Sequence, residues 1–293
     1  MTDPSALPAH PGGTALVLAG GGVAGIAWEL GVLRGIADAD PALADRLLAA
    51  DVVVGTSAGS SVAAQITSGV ALGELYDAQL RPGTTEIEVD VDLPALFADM
   101  GAAMAGADDA ADAGRRIGAV ALAAPTIDPA RRRAAIAARL PVPAWPDRRM
   151  LLPAVDAESG AATVFTRESG VALVDAVAAS CAVPGVWPPV AIAGRRYLDG
   201  GVRSMTNADL AAGADRVLVV VPALESAPAL WGRSLAEELA ELAPAAVAVV
   251  HADQASVDAF GTNALSPSTR GAAARAGRAV GTAAAGRVAA LFG

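Results

Sequence analysis

Ser57, two histidines and a few carboxylates set beside glycines are the residues of this chain that could carry nucleophilic chemistry. Ser57 sits in Gly55-Thr56-Ser57-Ala58-Gly59, directly after the β-branched run Val52-Val53-Val54. A short buried strand, then G-x-S-x-G, then a helix over Ala58 to Thr67 is the setting of a nucleophile elbow. The turn lifts the serine hydroxyl above the sheet, and Gly55 and Gly59 keep Cβ atoms out of it. The Ala58 amide and the helix dipole would then face a developing oxyanion. A serine hydroxyl also needs a base. His10 lies in a Pro/Gly-containing tail, and His251 is expected at the end of an amphipathic helix spanning Ser234 to Val250, so neither is placed for that work. A carboxylate is the alternative. Asp199 ends a short strand and precedes Gly200 and Gly201, which permit close approach to another loop. Taken alone, Asp199-Gly200 reads as an ordinary turn.

A glycine loop has two readings. Gly20, Gly22 and Gly25 satisfy G-x-G-x-x-G between the strand Thr14 to Ala19 and a helix from Ile26 to Ala39, as a dinucleotide site would. That fingerprint wants an acid at the end of the second strand, where this chain instead runs into the serine elbow. The other reading is an oxyanion hole, in which consecutive glycines let backbone amides point into a cavity.

The elements that must position these residues read as α/β. Hydrophobic residues make up 54% of the 293 and aromatics 3%, so a large core is built from Ala, Val and Leu. The formal net charge of −10 argues against nucleic acid or a strongly anionic membrane as partner. One cysteine, Cys181, excludes an internal disulfide and a cysteine metal cluster. Met1 to Gly13 has no signal-peptide pattern, and no apolar stretch is long enough to span a membrane, so a cytoplasmic protein is the expectation. Pro41 falls just after the first helix. Leu93 to Ala124 reads as helical, either a lid or an ordinary layer. Pro129 to Arg139 reads as a helix with Arg131 to Arg133 on a solvated face. Met150 to Asp156 and Ala161 to Thr166 form a hairpin around Gly160, Leu173 to Ser180 a helix, and Val190 to Ile192 with Arg195 to Leu198 a second hairpin. Arg216 to Val221 is an interior strand. Gly271 to Gly293 reads as a surface helix. No linker divides the chain, so residues 14–293 read as one domain behind a tail, 1–13.

Taken in order, Gly20-Gly-Gly-Val-Ala-Gly25, Gly55-Thr-Ser-Ala-Gly59 and Asp199-Gly-Gly201 resemble the patatin-like phospholipases. Gly31-Val-Leu33, Ser180-Cys-Ala-Val-Pro184 with Trp187-Pro-Pro189, and Asn207 are similar to further family features, and the likeness runs from about Thr14 to Val221. The resemblance implies a three-layer α/β/α fold with a mostly parallel sheet. It implies a Ser57–Asp199 dyad without histidine and an oxyanion hole from Gly20, Gly21, Gly22 and Val23, with Ala58 beside it. It implies acyl-ester lipids as substrates, transient contact with a membrane surface, and no metal or cofactor. Ala24 departs from the family's frequent Arg or Lys, and Asp209 from its frequent proline. The rival readings are a catalytically weak lipid-binding or regulatory protein on the same fold, and a nucleotide-binding protein.

Overall fold

Thr14–Leu18, Val52–Gly55, Arg149–Asp156, Ala162–Phe165, Val190–Ile192, Arg195–Asp199, Arg216–Val221 and Ala246–His251 are strands β1 to β8 of one sheet. The computed structural model describes residues 2–4, 7, 10, 12–227 and 232–292. The strand order is β5-β6-β3-β2-β1-β7-β8, with β4 also pairing β3. Strands β3, β2, β1, β7 and β8 are parallel neighbours. Strands β4 and β6 run antiparallel to β3, and β5 antiparallel to β6. The interior strands read as almost unbroken apolar runs because both faces are covered. Leu16 and Leu18 point into one core, Ala15 and Val17 into the other.

Helices α1 (Gly22–Ala39), α2 (Pro41–Leu48), α3 (Ala58–Ile66), α4 (Leu72–Leu80), α5 (Leu93–Met104), α6 (Ala110–Ala123), α7 (Pro129–Arg139), α8 (Leu173–Ser180), α9 (Leu235–Glu241), α10 (Gln254–Phe260) and α11 (Arg270–Phe292) cover the sheet. The first core joins α1, α3, α8 and α11 to one face, around Trp28, Leu30, Leu33, Val62 and Val288. On the other face Leu242, Ala208 and Ala211 close a second core, and Ile117 and Ala121 of α6 pack on Val155 and Leu198. This is the expected three-layer arrangement.

Several expectations are corrected. The first helix starts at Gly22 rather than Ile26, because the Gly25 amide closes its first turn on the Gly21 carbonyl at 2.8 Å. Pro41 follows the end of α1 at Ala39, as expected, and also opens a further helix, α2, with Asp40 accepting from the Leu43 amide at 2.9 Å as its cap. The stretch from Leu93 is two helices, the second capped by Asp109. The helix expected from Ser234 to Val250 stops at Glu241. Pro244 cannot continue it, and the alternating Val/Ala run that follows is β8. Of the expected tail, residues 1, 5, 6, 8, 9 and 11 lie outside the described residues, while Thr2 pairs with Val164 of β4. Gly293, the expected end of the last helix, also lies outside them. Among the described residues no helix is long and apolar enough to cross a membrane.

The last helix starts at Arg270, one residue before the expected Gly271, and is a surface helix with one face buried. Ala273, Ala274, Gly277, Gly281, Ala284, Ala285, Val288 and Phe292 of α11 are buried, chiefly against α1. Small residues let the two backbones touch. A Cβ at Gly277 would lie 2.1 Å from the Trp28 carbonyl oxygen, and one at Gly281 2.0 Å from that of Val32. A branched side chain there must push the helices apart. Gly281→Val is expected to cost about 3 kcal/mol or more and to lower the melting temperature by ~6 °C or more. A calorimetric scan with an unchanged transition would contradict this packing.

Candidate active site

Strand register brings the serine and the aspartate to one height. Val54 pairs with Leu151 across β2 and β3, and Asp199 pairs with Ala154 across β6 and β3. Ser57 lies three residues past Val54, as Ala154 lies three past Leu151. An antiparallel strand thus delivers its last residue to the edge where the parallel strands end. Ser57, Asp199, Gly20, Gly21 and Gly22 share the wall of a cavity of about 860 Å³. Its apolar lining includes Leu93 and Phe97 of α5, Met205, Leu235 and Leu265. That is the size and character of a small-molecule or acyl-chain site.

The elbow is present as its sequence predicts. Ser57 holds φ 50° and ψ −112°, a conformation that costs a non-glycine residue about 1–3 kcal/mol. A Cβ on Gly59 would sit 2.0 Å from the Leu18 carbonyl oxygen, so only glycine lets the elbow approach β1. Among the described residues the amides of Gly21, Gly22, Val23 and Ala58 take no hydrogen-bond partner, and Ala58 opens α3. The Gly20 amide, expected to be a free donor, is occupied: it donates to the Met205 carbonyl at 2.8 Å. The glycine loop lies against the serine, for a Cβ on Gly20 would be 3.6 Å from the Ser57 Cβ. Gly22 needs its φ of 65° and lies against the Ala264 carbonyl.

Asp199 is 5% exposed. Its Oδ1 accepts from the Gly201 amide at 2.7 Å, while Oδ2 completes no hydrogen bond of ordinary geometry among the described residues. Burial pushes the carboxyl up to about 7, against the pull of the Gly201 amide, the nearby Ser57 hydroxyl and the Arg132 charge. Gly200 lies against the Pro153 carbonyl of β3, so the close approach is to a strand and not to another loop.

Neither histidine reaches Ser57 and Asp199. His10 lies near Asp51 and Gly13, at the opposite edge of the sheet from the elbow. His251 is the surprise of the β8 correction. It ends a strand and lines the same cavity as Ser57. Three strand spacings, roughly 14 Å, separate β2 from β8, more than the two side chains bridge.

Arg132 escaped sequence reasoning as part of this site, and Asn207 and Asp209, noted in the sequence only by likeness to or departure from a family pattern, take structural roles beside it. Arg132, expected on a solvated face, is 5% exposed, with its guanidinium 3.7 Å over the Trp187 ring. Burial and the neighbouring Arg139 lower it to about 9, which leaves it cationic at neutral pH. The signal was present: Arg132, Ala135, Ile136 and Arg139 recur at helical spacing, and this face is the buried one. Asn207 donates to Thr56 Oγ1 at 3.0 Å and to the Gly200 carbonyl at 3.3 Å, joining the elbow to the residue after Asp199. Asp209 holds Arg203 and Arg233, so the family's frequent proline is replaced by an ion-pair anchor.

A family model described as patatin-like phospholipase matches residues 16–212. No curated protein matches the chain. Among solved structures it is similar to VipD from Legionella pneumophila, at 12% identity and a TM-score of 0.45, covering 96% of this chain and 67% of that one. It is also similar to the type III effector protein ExoU, at 14% identity and a TM-score of 0.40, covering 96% of this chain and 54% of that one. The family model spans both the elbow and the Asp199 turn, and the chain belongs to the patatin-like phospholipase family of lipid hydrolases.

Proposed function

We propose that Ser57 and Asp199 together hydrolyse acyl esters of lipids, with no histidine between them. The observation that supports this most directly is the buried Asp199 carboxyl, held beside the Ser57 hydroxyl in an apolar cavity and raised to about 7. In its ionised form it takes the Ser57 proton as Oγ attacks the ester carbonyl. The oxyanion that develops is met by the amide of Ala58 and by amides of Gly21 to Val23, whose donors have no partner among the described residues. Gly20 shapes the loop instead of donating. As the tetrahedral intermediate collapses, the proton on Asp199 passes to the departing alcohol or lysolipid. Asp199 then deprotonates a water that attacks the acyl-serine, and the fatty acid leaves with the serine proton restored. Lipid substrates bring the protein to a membrane surface transiently. A regulatory protein on the same fold would have no use for free amides facing a strained serine, and turnover of a short p-nitrophenyl ester separates the two readings.

Ser57→Ala and Asp199→Asn are each expected to lower ester turnover by roughly 10³-fold or more, while the double variant His10→Ala, His251→Ala keeps most of it. Loss of activity in the histidine variant with retention in Asp199→Asn would overturn the dyad.

The raised carboxyl has two readouts of opposite sign. Activity needs the ionised form, so kcat/KM should rise with pH around a midpoint of about 7. An unfolded aspartate titrates near 3.8, so folding loses stability as pH climbs from about 4 through 7, by up to roughly 4 kcal/mol. Asp199→Asn does not ionise. Its melting temperature relative to the native chain should therefore increase between pH 4 and pH 8. A difference that stays flat across this range would show that Asp199 is not the group raised by burial.

A further inference from the structure

We infer that Ser180-Cys181-Ala182, at the end of α8, is a positioning element that sets the nucleophile against its base; this rests on the Ser57–Asp199 reading above. Three consecutive residues touch both partners. The Ser57 amide donates to Ser180 Oγ at 3.1 Å. The Cys181 thiol donates to the Ser57 carbonyl, with Sγ 3.1 Å from the oxygen. The Asp199 amide donates to the Ala182 carbonyl at 3.0 Å. The peptide groups on both sides of the strained serine and the amide of the aspartate are thus tied to one short piece of chain.

That piece is independent of the elbow. Ser180 is 123 residues from Ser57 in sequence, whereas Ser60, which donates to the same Ser57 carbonyl at 2.6 Å, rides on the helix the elbow itself begins. A bond from Ser60 moves with the elbow, while bonds from α8 do not. The segment is rigid by burial, with Ser180 fully buried and Cys181 and Ala182 nearly so. Cys181 is further fixed by its amide to the Val177 carbonyl at 3.0 Å and by Ser60 Oγ at 3.4 Å from its sulfur. Burial raises the thiol above its ordinary value, so it keeps the proton it donates. A serine at φ 50° relaxes toward common backbone angles when its peptide groups are released, and the hydroxyl then swings away from the base. Small displacements of a nucleophile are costly in rate and nearly silent in substrate binding.

The experiment compares the full chain with Ser180→Ala, Cys181→Ala and Cys181→Ser. It measures the second-order rate of labelling by a fluorophosphonate probe at Ser57, kcat and KM for p-nitrophenyl butyrate, and the thermal transition. Ser180→Ala strands the Ser57 amide and should lower labelling and kcat roughly tenfold or more. Cys181→Ala leaves the Ser60 bond in place and should lower both by about three- to tenfold. KM should stay within about twofold, since substrate contacts are untouched. Cys181→Ser, which keeps a donor, should recover most of the loss. Equal labelling rates in all four proteins overturn the proposal, as does a Cys181→Ala loss that serine fails to restore, which would mark packing in place of the hydrogen bond. If Ser180→Ala fails to fold, the Cys181 pair decides alone. A native chain that the probe does not label at Ser57 overturns the dyad and this element together. Labelling of the native chain with unchanged variants overturns this element alone.

Discussion

The backbone of one residue sets the terms for this fold. Ser57 is held where serine does not rest, with φ 50° and ψ −112°. The strain is affordable only because the surroundings over-determine it. Gly59 lets α3 press against the end of β1, whose Leu18 carbonyl would strike any Cβ there. Thr56 donates to the Thr206 carbonyl and accepts from Asn207. The order of strands follows from the same need: β2 must have β1 on one side to supply the glycine loop and β3 on the other to bring in β6 and Asp199.

The mixed sheet is the device that joins the two halves of the site. Five parallel strands end at one edge and leave helix N-termini there. A base on one more parallel strand would have needed another crossover helix. Instead β3 continues past β2, turns at Gly160 into β4, and on its other side accepts β6 in the antiparallel sense. Asp199 then falls at the end of a strand and the start of a tight turn, so its backbone is fixed by the sheet while its side chain is free to face the serine.

What could be read in the sequence was local. The elbow, the Asp199 turn and most strands carry their own signals, because β-branched runs and flanking glycines report directly on backbone geometry. The glycine loop gave its position but not its boundary, since a glycine-rich first turn looks like a loop until a partner such as the Gly21 carbonyl is counted. The failures were tertiary. Ser234 to Val250 is apolar at spacings that suit a helix, and only Pro244 and the β7 edge waiting for a partner make its second half a strand. A helix over Ser234 to Val250 would put His251 at a helix end, whereas it ends β8 on the cavity wall. The run Arg131 to Arg133 suggests a solvated face, but the helix face decides the burial of Arg132. The links from Ser180 to Ala182 across to the elbow could not be read at all, because hydrogen bonds across more than a hundred residues leave no local pattern.

In the proposed dyad, the absence of a histidine partner changes how the base is made strong enough. An ordinary carboxylate is too acidic to take a serine proton readily, and imidazole owes its usefulness to a proton affinity matched to neutral pH. Here burial supplies what the functional group lacks: desolvation lifts Asp199 to about 7, into the range of an imidazole. Too much desolvation would leave the carboxyl protonated and useless as a base. The Gly201 amide, the Ser57 hydroxyl and the Arg132 charge set the limit, each favouring the ionised form. Arg132 can act this way although it forms no ion pair with Asp199, since charges reach further through a low-dielectric interior than through water. Its own burial is eased by the face of Trp187. With Ala24 in the glycine loop, the charge of this buried arginine acts on Asp199, and in the proposed reaction the loop's amides meet the substrate.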